Sequence, residues 1–262
     1  MALVKQGELP FNRGNRKRFF RGRFNRARLE KGLRILPNLF TLGNAFFGFC
    51  SIIFAAHGDF IAAAYFILLG ALMDTLDGRI ARYTKFTSDL GMQLDSLCDS
   101  ISFCLAPAAL IYFWQLKRVG GLGFAVCALF MLAGLLRLAR FNVTHSQQTI
   151  LFLGTPTPIA GCFLATLLLN TNHIVLKSTL VTLLLLLVLS LALLMVSRIP
   201  FPSFKQLSRN MYALAGLSVG AFVITMGFTR VLLILFIGYF LFAFEEYFRA
   251  KIHHLKKGPF HE

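Results

Sequence analysis

Residues 60–84 read FIAAAYFILLGALMDTLDGRIARYT, and residues 92–114 read MQLDSLCDSISFCLAPAALIYFW. Both stretches are long and apolar enough to cross a bilayer as helices, for which about 20 residues suffice. They nevertheless carry four carboxylates, which are Asp74, Asp77, Asp95 and Asp99. Because a charge near the middle of a membrane helix costs about 2.5–3.5 kcal/mol, this group needs a compensating partner.

The composition of the whole chain agrees with a membrane protein. Of its 262 residues, 56% are hydrophobic and only 15% are charged, whereas soluble domains have about 25% charged residues. This excludes a soluble domain and a disordered chain, and it excludes a nucleic-acid module despite the net charge of +16. We predict an all-α polytopic membrane protein with about eight spans. The predicted spans cover residues 35–56, 60–84, 92–114, 121–141, 157–171, 174–196, 212–228 and 230–248.

The cations indicate the orientation of these spans. Eleven of the 27 Lys and Arg lie in residues 1–34. With the N-terminus in the cytoplasm, 23 cations fall on the cytoplasmic side and four fall outside, as the positive-inside rule requires. We therefore expect both termini in the cytoplasm, and location in the cytoplasmic membrane if the source is bacterial.

The chain divides into three predicted parts. Residues 1–34 form a basic arm, residues 35–250 a membrane domain, and residues 251–262 a basic cytoplasmic tail. The arm is either a solvated topogenic segment or a juxtamembrane helix on anionic lipid, where each cation adds about 1 kcal/mol. A cleavable signal peptide is not expected, because no short apolar stretch ends in a small-residue cleavage site.

The cysteines do not indicate a redox or zinc site. They are odd in number, lie in apolar runs and form no CxxC pair. We expect all of them to be small buried hydrophobic side chains. They are Cys50, Cys98, Cys104, Cys127 and Cys162.

The spacing of the acids predicts a metal centre. Asp74 and Asp77 are three residues apart and Asp95 and Asp99 are four apart, so each pair shares a helix face. A short polar turn near residues 84–91 makes the two helices antiparallel and brings both pairs to a similar depth. Two divalent cations would cancel the four negative charges. Small residues beside the acids would admit a bulky ligand close to the backbone, or they are ordinary helix-packing notches.

The same residues carry a resemblance to a family. Asp74-x-x-Asp77-Gly78-x-x-Ala81-Arg82, followed after eight residues by Gly91-x-x-x-Asp95-x-x-x-Asp99, resembles the full signature of the CDP-alcohol phosphatidyltransferases. Pro37 to Asn44 is similar to the first helix of that family. The segments RLARFN at 137–142, GTPTP at 154–158 and IPFPSFK at 199–205 look like the membrane-type phosphatidylserine synthases, with Thr155 where Leu and Arg198 where Asn is more usual.

The resemblance implies a reaction and roles for named residues. The phosphatidyl group of CDP-diacylglycerol would pass to the hydroxyl of L-serine, giving phosphatidylserine and CMP. Two Mg²⁺ or Mn²⁺ ions would be held by Asp74, Asp77 and Asp95, with Asp99 completing one site and acting as general base. Direct transfer is favoured, and the residues leave a covalent intermediate open. A homodimer is also implied.

Further residues are expected around the substrates. Gly78, Ala81 and Arg82 would border the CDP group, and hydrogen bonds to cytidine or ribose could come from Asn38, Thr41 and Asn44, unless these merely make the helix start polar. Candidates for the alcohol pocket are Arg140, Asn142, Arg198 and Lys205, unless they serve only as cytoplasmic anchors.

Two alternatives stay open from the residues. A sister enzyme would use glycerol 3-phosphate, inositol or inositol phosphate, because the cations after residue 136 could bind an extra phosphate. An ion transporter could also place acids in a membrane. The acids nevertheless cluster in the cytoplasmic half of two adjacent helices and do not continue to the outer side.

Overall fold

The computed structural model of the protein describes residues 38–84, 89–145, 152–172, 178–197, 200–201 and 227–256. In chain order, the α-helices are α1 (Asn38–Ala56), α2 (Phe60–Thr84), α3 (Asp89–Asp99), α4 (Ala106–Trp114), α5 (Gly121–His145), α6 (Thr157–Thr171), α7 (Ser178–Val196) and α8 (Phe228–Lys256). A π-helical segment, Ser100–Leu105, joins α3 to α4, and a 3₁₀ turn, Leu116–Val119, follows α4. The strands β1 (Phe152–Leu153) and β2 (Pro200–Phe201) form one antiparallel pair.

Helices α1 and α2 form a hairpin whose turn is encoded locally. Gly58 has φ of +86°, a conformation that glycine adopts without steric cost and that commonly ends a helix. The next residue, Asp59, accepts a hydrogen bond from the backbone N–H of Ala62 at 3.0 Å. This is an N-cap that satisfies one free donor of the first turn of α2. The two helices therefore run antiparallel from a well-defined corner.

The third span is continuous but not uniformly α-helical. Residues Leu90–Trp114 run through α3, the π-helical segment and α4 as one apolar stretch. The π-helical segment begins directly after Asp99. Such segments are rare and are frequently found at functional sites, so its position next to an acid marks this part of the span as a candidate functional region.

Small side chains let the remaining helices pack closely. A Cβ added to Gly134 of α5 would lie 2.5 Å from the sulfur of Cys104, and one added to Gly161 of α6 would lie 3.0 Å from the carbonyl oxygen of Phe103. Such contacts are typical of helix interfaces within membranes. All five cysteines are free; four are buried, as predicted for small hydrophobic side chains, and Cys50 is only partly buried.

The all-α fold class is confirmed, and the small β1–β2 pair is an addition that the residue pattern did not predict. Five helices of the described ranges are long and apolar enough to span a membrane; they are Asn38–Ala56, Phe60–Ile80, Leu90–Trp114, Gly121–Val143 and Ser178–Val196. Helix α6 is apolar but shorter, with 15 residues. The predicted span 230–248 lies within α8, whereas the basic arm and all but the last two residues of the predicted span 212–228 fall outside the described residues.

Candidate metal centre and substrate site

Three acids from two helices meet at one point. One carboxylate oxygen each from Asp74 of α2 and Asp95 and Asp99 of α3 lie within 4.8 Å of one another. The four-residue spacing of Asp95 and Asp99 puts both on the face of α3 that looks toward α2. Asp77 lies beside them, close enough for electrostatic repulsion with Asp74 and Asp95. We refer to Asp74, Asp77, Asp95 and Asp99 as the carboxylate cluster.

The carboxylate cluster fits divalent cations. At 4.8 Å two like charges repel by about 3–4 kcal/mol with an effective dielectric constant of about 20, so the ionised group requires a positive partner. Two oxygens on opposite sides of Mg²⁺ are about 4.2 Å apart. The spacing of at most 4.8 Å is therefore within a small side-chain rotation of coordination. The donor set consists only of carboxylate oxygens, which suits Mg²⁺ and Mn²⁺.

Asp77 contributes to this site a carboxylate oxygen that is available to bind a cation. Its side chain is buried and accepts a hydrogen bond from Thr41 of α1. Its Oδ2 atom is buried and has no hydrogen-bond partner within the described part of the chain. A buried polar atom normally has a hydrogen-bond partner. A cation bound beside the other three acids would supply a partner for this carboxylate oxygen.

Asp99 is fixed by a neighbour on α1. The amide Nδ2 of Asn44 donates a hydrogen bond of 3.1 Å to Asp99 Oδ1, and both side chains are buried. Thr41 and Asn44 were predicted as contacts of cytidine or ribose. In the structure each has a partner inside the carboxylate cluster, so a nucleotide contact is not needed to explain why either position is polar.

Of the other residues predicted to border the CDP group, the structure describes some completely and others only by their backbone. A Cβ added at Gly78 would meet no described atom within 4 Å, so the surface beside Asp77 is open. Asn38 is partly exposed at the start of α1. Ala81 and Arg82 belong to α2, but their side chains fall outside what the structure describes.

The residues predicted for the alcohol pocket have structural partners where they are described. Arg140 donates to the carbonyl oxygens of Val196 and Ser197, at 3.2 and 3.3 Å. It thereby holds the C-terminus of α7 to the end of α5. Asn142 accepts a hydrogen bond of 3.0 Å from the hydroxyl of Ser96, the neighbour of Asp95. Arg198 and Lys205 are outside the described residues.

The list of predicted site residues omitted Arg137. Its side chain is only 7% exposed, and it lies close enough to Asp99 and Tyr239 to interact electrostatically. Its Nε has no hydrogen-bond partner among the described residues. A cation within the apolar span Gly121–Val143 is a sequence signal for function. From the sequence, Arg137 counts both among the cytoplasmic cations and among the cations after residue 136 that could bind an extra phosphate.

Buried hydroxyls lie at the start of α6. Thr155 and Thr157 are fully buried, and the hydroxyl of each lacks a partner in the described ranges. Among the described residues, no side chain caps the N-terminus of α6 by a hydrogen bond, so its first N–H groups carry a partial positive charge.

Comparison with known proteins agrees with this chemistry. A family model described as CDP-alcohol phosphatidyltransferase matches residues 34–252. A CDP-diacylglycerol–serine O-phosphatidyltransferase of Helicobacter pylori is 38% identical over 181 residues, which cover 68% of this chain and 76% of the relative. The enzyme of that name from Bacillus subtilis is 33% identical over 174 residues, covering 66% of this chain and 93% of the relative.

A third relative is named for archaetidylserine synthesis. The archaetidylserine synthase of Methanothermobacter thermautotrophicus is 34% identical over 169 residues, covering 64% of this chain and 69% of the relative. The family match spans most of the chain and includes the whole carboxylate cluster, and five helices of the described part can cross a bilayer. The chain is therefore an integral membrane protein that belongs to the CDP-alcohol phosphatidyltransferase family.

Proposed function

We propose that the protein transfers the phosphatidyl group of CDP-diacylglycerol to the hydroxyl of L-serine, releasing CMP and forming phosphatidylserine. The observation that carries the proposal is the convergence of Asp74, Asp95 and Asp99 on one point in a chain that matches the family over residues 34–252. Relatives from two bacteria and an archaeon are named for transfer to serine or for a serine lipid. The acceptor is therefore serine in preference to glycerol 3-phosphate or inositol.

The carboxylate cluster holds two Mg²⁺ or Mn²⁺ ions in this proposal. When bound, these ions neutralise the diphosphate of CDP-diacylglycerol and stabilise the departing CMP. Asp74, Asp77 and Asp95 supply ligand oxygens, and Asp99 completes one of the sites. The Oδ2 of Asp77, which has no hydrogen-bond partner among the described residues, supports a role as ligand.

Asp99 also acts as the general base. It accepts the proton of the serine hydroxyl as the serine oxygen attacks the phosphorus on the diacylglycerol side, and the bond from that phosphorus to the CMP oxygen breaks. Its buried position and its place at the start of the π-helical segment support this role. A base must come within hydrogen-bond reach of the proton that it removes, and the hydrogen bond from Asn44 restricts the direction in which Asp99 points.

The CDP group lies over the open surface of α2. Gly78 has no neighbour that a methyl group would meet among the described atoms, so the backbone beside Asp77 can approach a ligand closely. Ala81 and Arg82 follow on the same helix, and Arg82 is the proposed donor to a phosphate. Asn38 stays a candidate for the cytidine or ribose, whereas Thr41 and Asn44, predicted for the same contact, have partners in the carboxylate cluster.

The amino-acid part of serine carries a carboxylate that needs a cation. Arg137 supports this function through its burial, its nearness to Asp99 and its Nε, for which the described part of the chain offers no partner. Arg140 and Asn142 shape the same end of α5, and Arg198 and Lys205 remain candidates from the sequence. A buried guanidinium can bind a carboxylate through two parallel hydrogen bonds.

The arrangement in the membrane follows from the cation distribution. We propose eight spans, both termini in the cytoplasm, an active site at the cytoplasmic face, a basic arm on anionic lipid and a homodimer. The 23 cations on one side support the orientation. A reporter active only in the cytoplasm, fused after residue 262, should be active, and inactivity would reverse the topology.

The proposed homodimer has its own test. Light scattering of the detergent-solubilised protein should give twice the chain mass of 29.3 kDa.

The reaction can be tested by competition between acceptors. Purified protein with Mn²⁺ and CDP-diacylglycerol receives serine, glycerol 3-phosphate and inositol together, and the lipid products are separated. We expect phosphatidylserine and an equal amount of CMP. The Asp99→Asn variant should remain folded, and its turnover should fall at least 100-fold. Phosphatidylglycerol phosphate or phosphatidylinositol as the main product would assign a sister reaction. Metal flux in liposomes without CDP-diacylglycerol would favour a transporter.

A further inference from the structure

A single residue, Asn44, connects three structural elements at the carboxylate cluster. Asn44 of α1 is fully buried. Its Nδ2 donates to Oδ1 of Asp99 at 3.1 Å, across 55 residues of sequence. Its backbone carbonyl accepts a hydrogen bond of 2.8 Å from the hydroxyl of Ser102. Asn44 therefore binds both the end of α3 and the π-helical segment that follows it.

The bond to Asp99 engages one of its two carboxylate oxygens. A carboxylate attached through a single freely rotating bond can turn either oxygen toward its neighbours, since this torsion is broad. With Oδ1 held by the Asn44 amide, the plane of the carboxylate is set. Oδ2 of Asp99 is then the atom left without this restraint, available for a cation or for a proton.

Close helix packing holds Asn44 itself in place. A Cβ added to Gly70 of α2 would lie 2.9 Å from Asn44 Oδ1, and a Cβ added to Gly48, one turn after Asn44, would lie 2.8 Å from the Cα of Ser102. Gly70 lets α2 approach the Asn44 side chain, and Gly48 lets the π-helical segment approach α1 one turn later. The amide consequently has little freedom to turn away from Asp99.

Asn44 is uncharged, and this matters because the carboxylate cluster is proposed to bind cations. A Lys or Arg at this position would neutralise Asp99 and compete with the metal, whereas an amide donates a hydrogen bond and leaves the negative charge of the carboxylate cluster intact. Hydrogen-bonded partners of metal-binding carboxylates typically change metal affinity or activity by about 10–100-fold when they are removed.

We propose that Asn44 is a positioning residue that orients Asp99 for metal binding and for proton removal. The inference rests on the proposed function, since it concerns the same site. It differs from the expectation from sequence, in which Asn44 contacts the cytidine or ribose of the substrate. A nucleotide contact would act on the KM for CDP-diacylglycerol, whereas a positioning residue acts on cation affinity and on kcat.

The first experiment compares Asn44→Ala with Asn170→Ala. Asn170 is a matched control, because its amide also bridges two helices, donating to the carbonyl oxygens of Thr166 and Thr229 at 2.7 and 3.0 Å. Mn²⁺ affinity is measured by the electron paramagnetic resonance of free Mn²⁺ added to the purified protein, without substrate. We expect Asn44→Ala to bind Mn²⁺ about 10–100-fold more weakly, and Asn170→Ala to bind it like wild type.

Steady-state kinetics at saturating Mn²⁺ separate the two roles of Asn44. We expect Asn44→Ala to lower kcat by about 10–100-fold, with the KM for CDP-diacylglycerol within about twofold of wild type. The opposite pattern, with unchanged kcat and Mn²⁺ affinity but a raised KM, would overturn the inference and restore the nucleotide contact.

A second variant tests the same geometry without touching Asn44. Gly70→Ala forces Asn44 Oδ1 to move, and should therefore also weaken Mn²⁺ binding. In an Asn44→Ala background the same change meets only ordinary contacts, at 3.6 Å from the residue 44 carbonyl oxygen and 3.7 Å from Ser102 Cβ. The two effects should consequently be non-additive.

The outcomes distinguish failure of the inference from failure of the proposed function. If Asn44→Ala does not fold, Gly70→Ala alone decides, and wild-type Mn²⁺ affinity in that variant contradicts the positioning role. Additive effects of the two changes contradict it as well. If wild type shows no turnover with serine while the Mn²⁺ results are as expected, the proposed function is wrong and the positioning of Asp99 stands.

Discussion

The open surface at Gly78 gives a prediction in which stability and substrate affinity move in opposite directions. Gly78 lies inside α2, and a Cβ built there meets no described atom within 4 Å. Replacing an interior helix glycine with alanine stabilises a helix by about 0.5–1 kcal/mol. Gly78→Ala should therefore fold at least as well as wild type.

The cost of the added methyl should appear only when substrate binds. If the CDP group packs against the backbone at Gly78, the methyl occupies ligand space, and overpacking typically costs about 1–3 kcal/mol. That corresponds to an increase of about 5- to 150-fold in the KM for CDP-diacylglycerol. KM and the midpoint of thermal unfolding are measured on the same purified sample in detergent.

Gly238→Ala is the matched control for this prediction. Gly238 also lies inside a helix, α8, and a Cβ there likewise meets no described atom within 4 Å. It should give the same small gain in stability and leave the KM unchanged. A Gly78→Ala enzyme with wild-type KM for CDP-diacylglycerol would refute the close approach of the substrate to this part of α2.

Two further changes test other parts of the structure. Gly48→Ala should destabilise the protein by about 1–3 kcal/mol, because its Cβ would lie 2.8 Å from the backbone Cα of Ser102. The midpoint of thermal unfolding measures this, and an unchanged midpoint would contradict the packing of α1 on the π-helical segment. Arg137→Gln should raise the KM for serine by about 10- to 150-fold through loss of about 1.5–3 kcal/mol from a charged hydrogen bond, with the KM for CDP-diacylglycerol little changed. Equal effects on both substrates would instead assign Arg137 a structural role.

The carboxylate cluster could be predicted because its cause is local. The spacing within α2 and within α3 determines which acids share a face, and a short turn between the helices determines their depth. Three of the four acids meet at the predicted point, with Asp77 beside them. The apolar spans are equally local, because length and hydropathy alone define them.

Features that depend on contacts distant in sequence could not be predicted in this way. The bond between Asn44 and Asp99 joins positions 55 residues apart, and nothing in the pattern of α1 distinguishes a contact with Asp99 from one with a nucleotide. The same holds for Arg140, whose carbonyl partners follow 56 and 57 residues later. The π-helical segment after Asp99 reflects how three helices pack, and its apolar residues resemble those of an ordinary α-helix.

The most direct test of the metal-centred transfer to serine is the dependence of CMP release on a divalent cation and on the acceptor. Purified protein is treated with a chelator, and CMP and phosphatidylserine are measured after addition of CDP-diacylglycerol and serine, before and after Mn²⁺ or Mg²⁺ is restored. We expect no CMP with the chelator, and equal amounts of CMP and phosphatidylserine once the cation returns. Phosphatidylserine formation that persists undiminished in the chelator would contradict the assignment of the carboxylate cluster as the metal centre of the reaction.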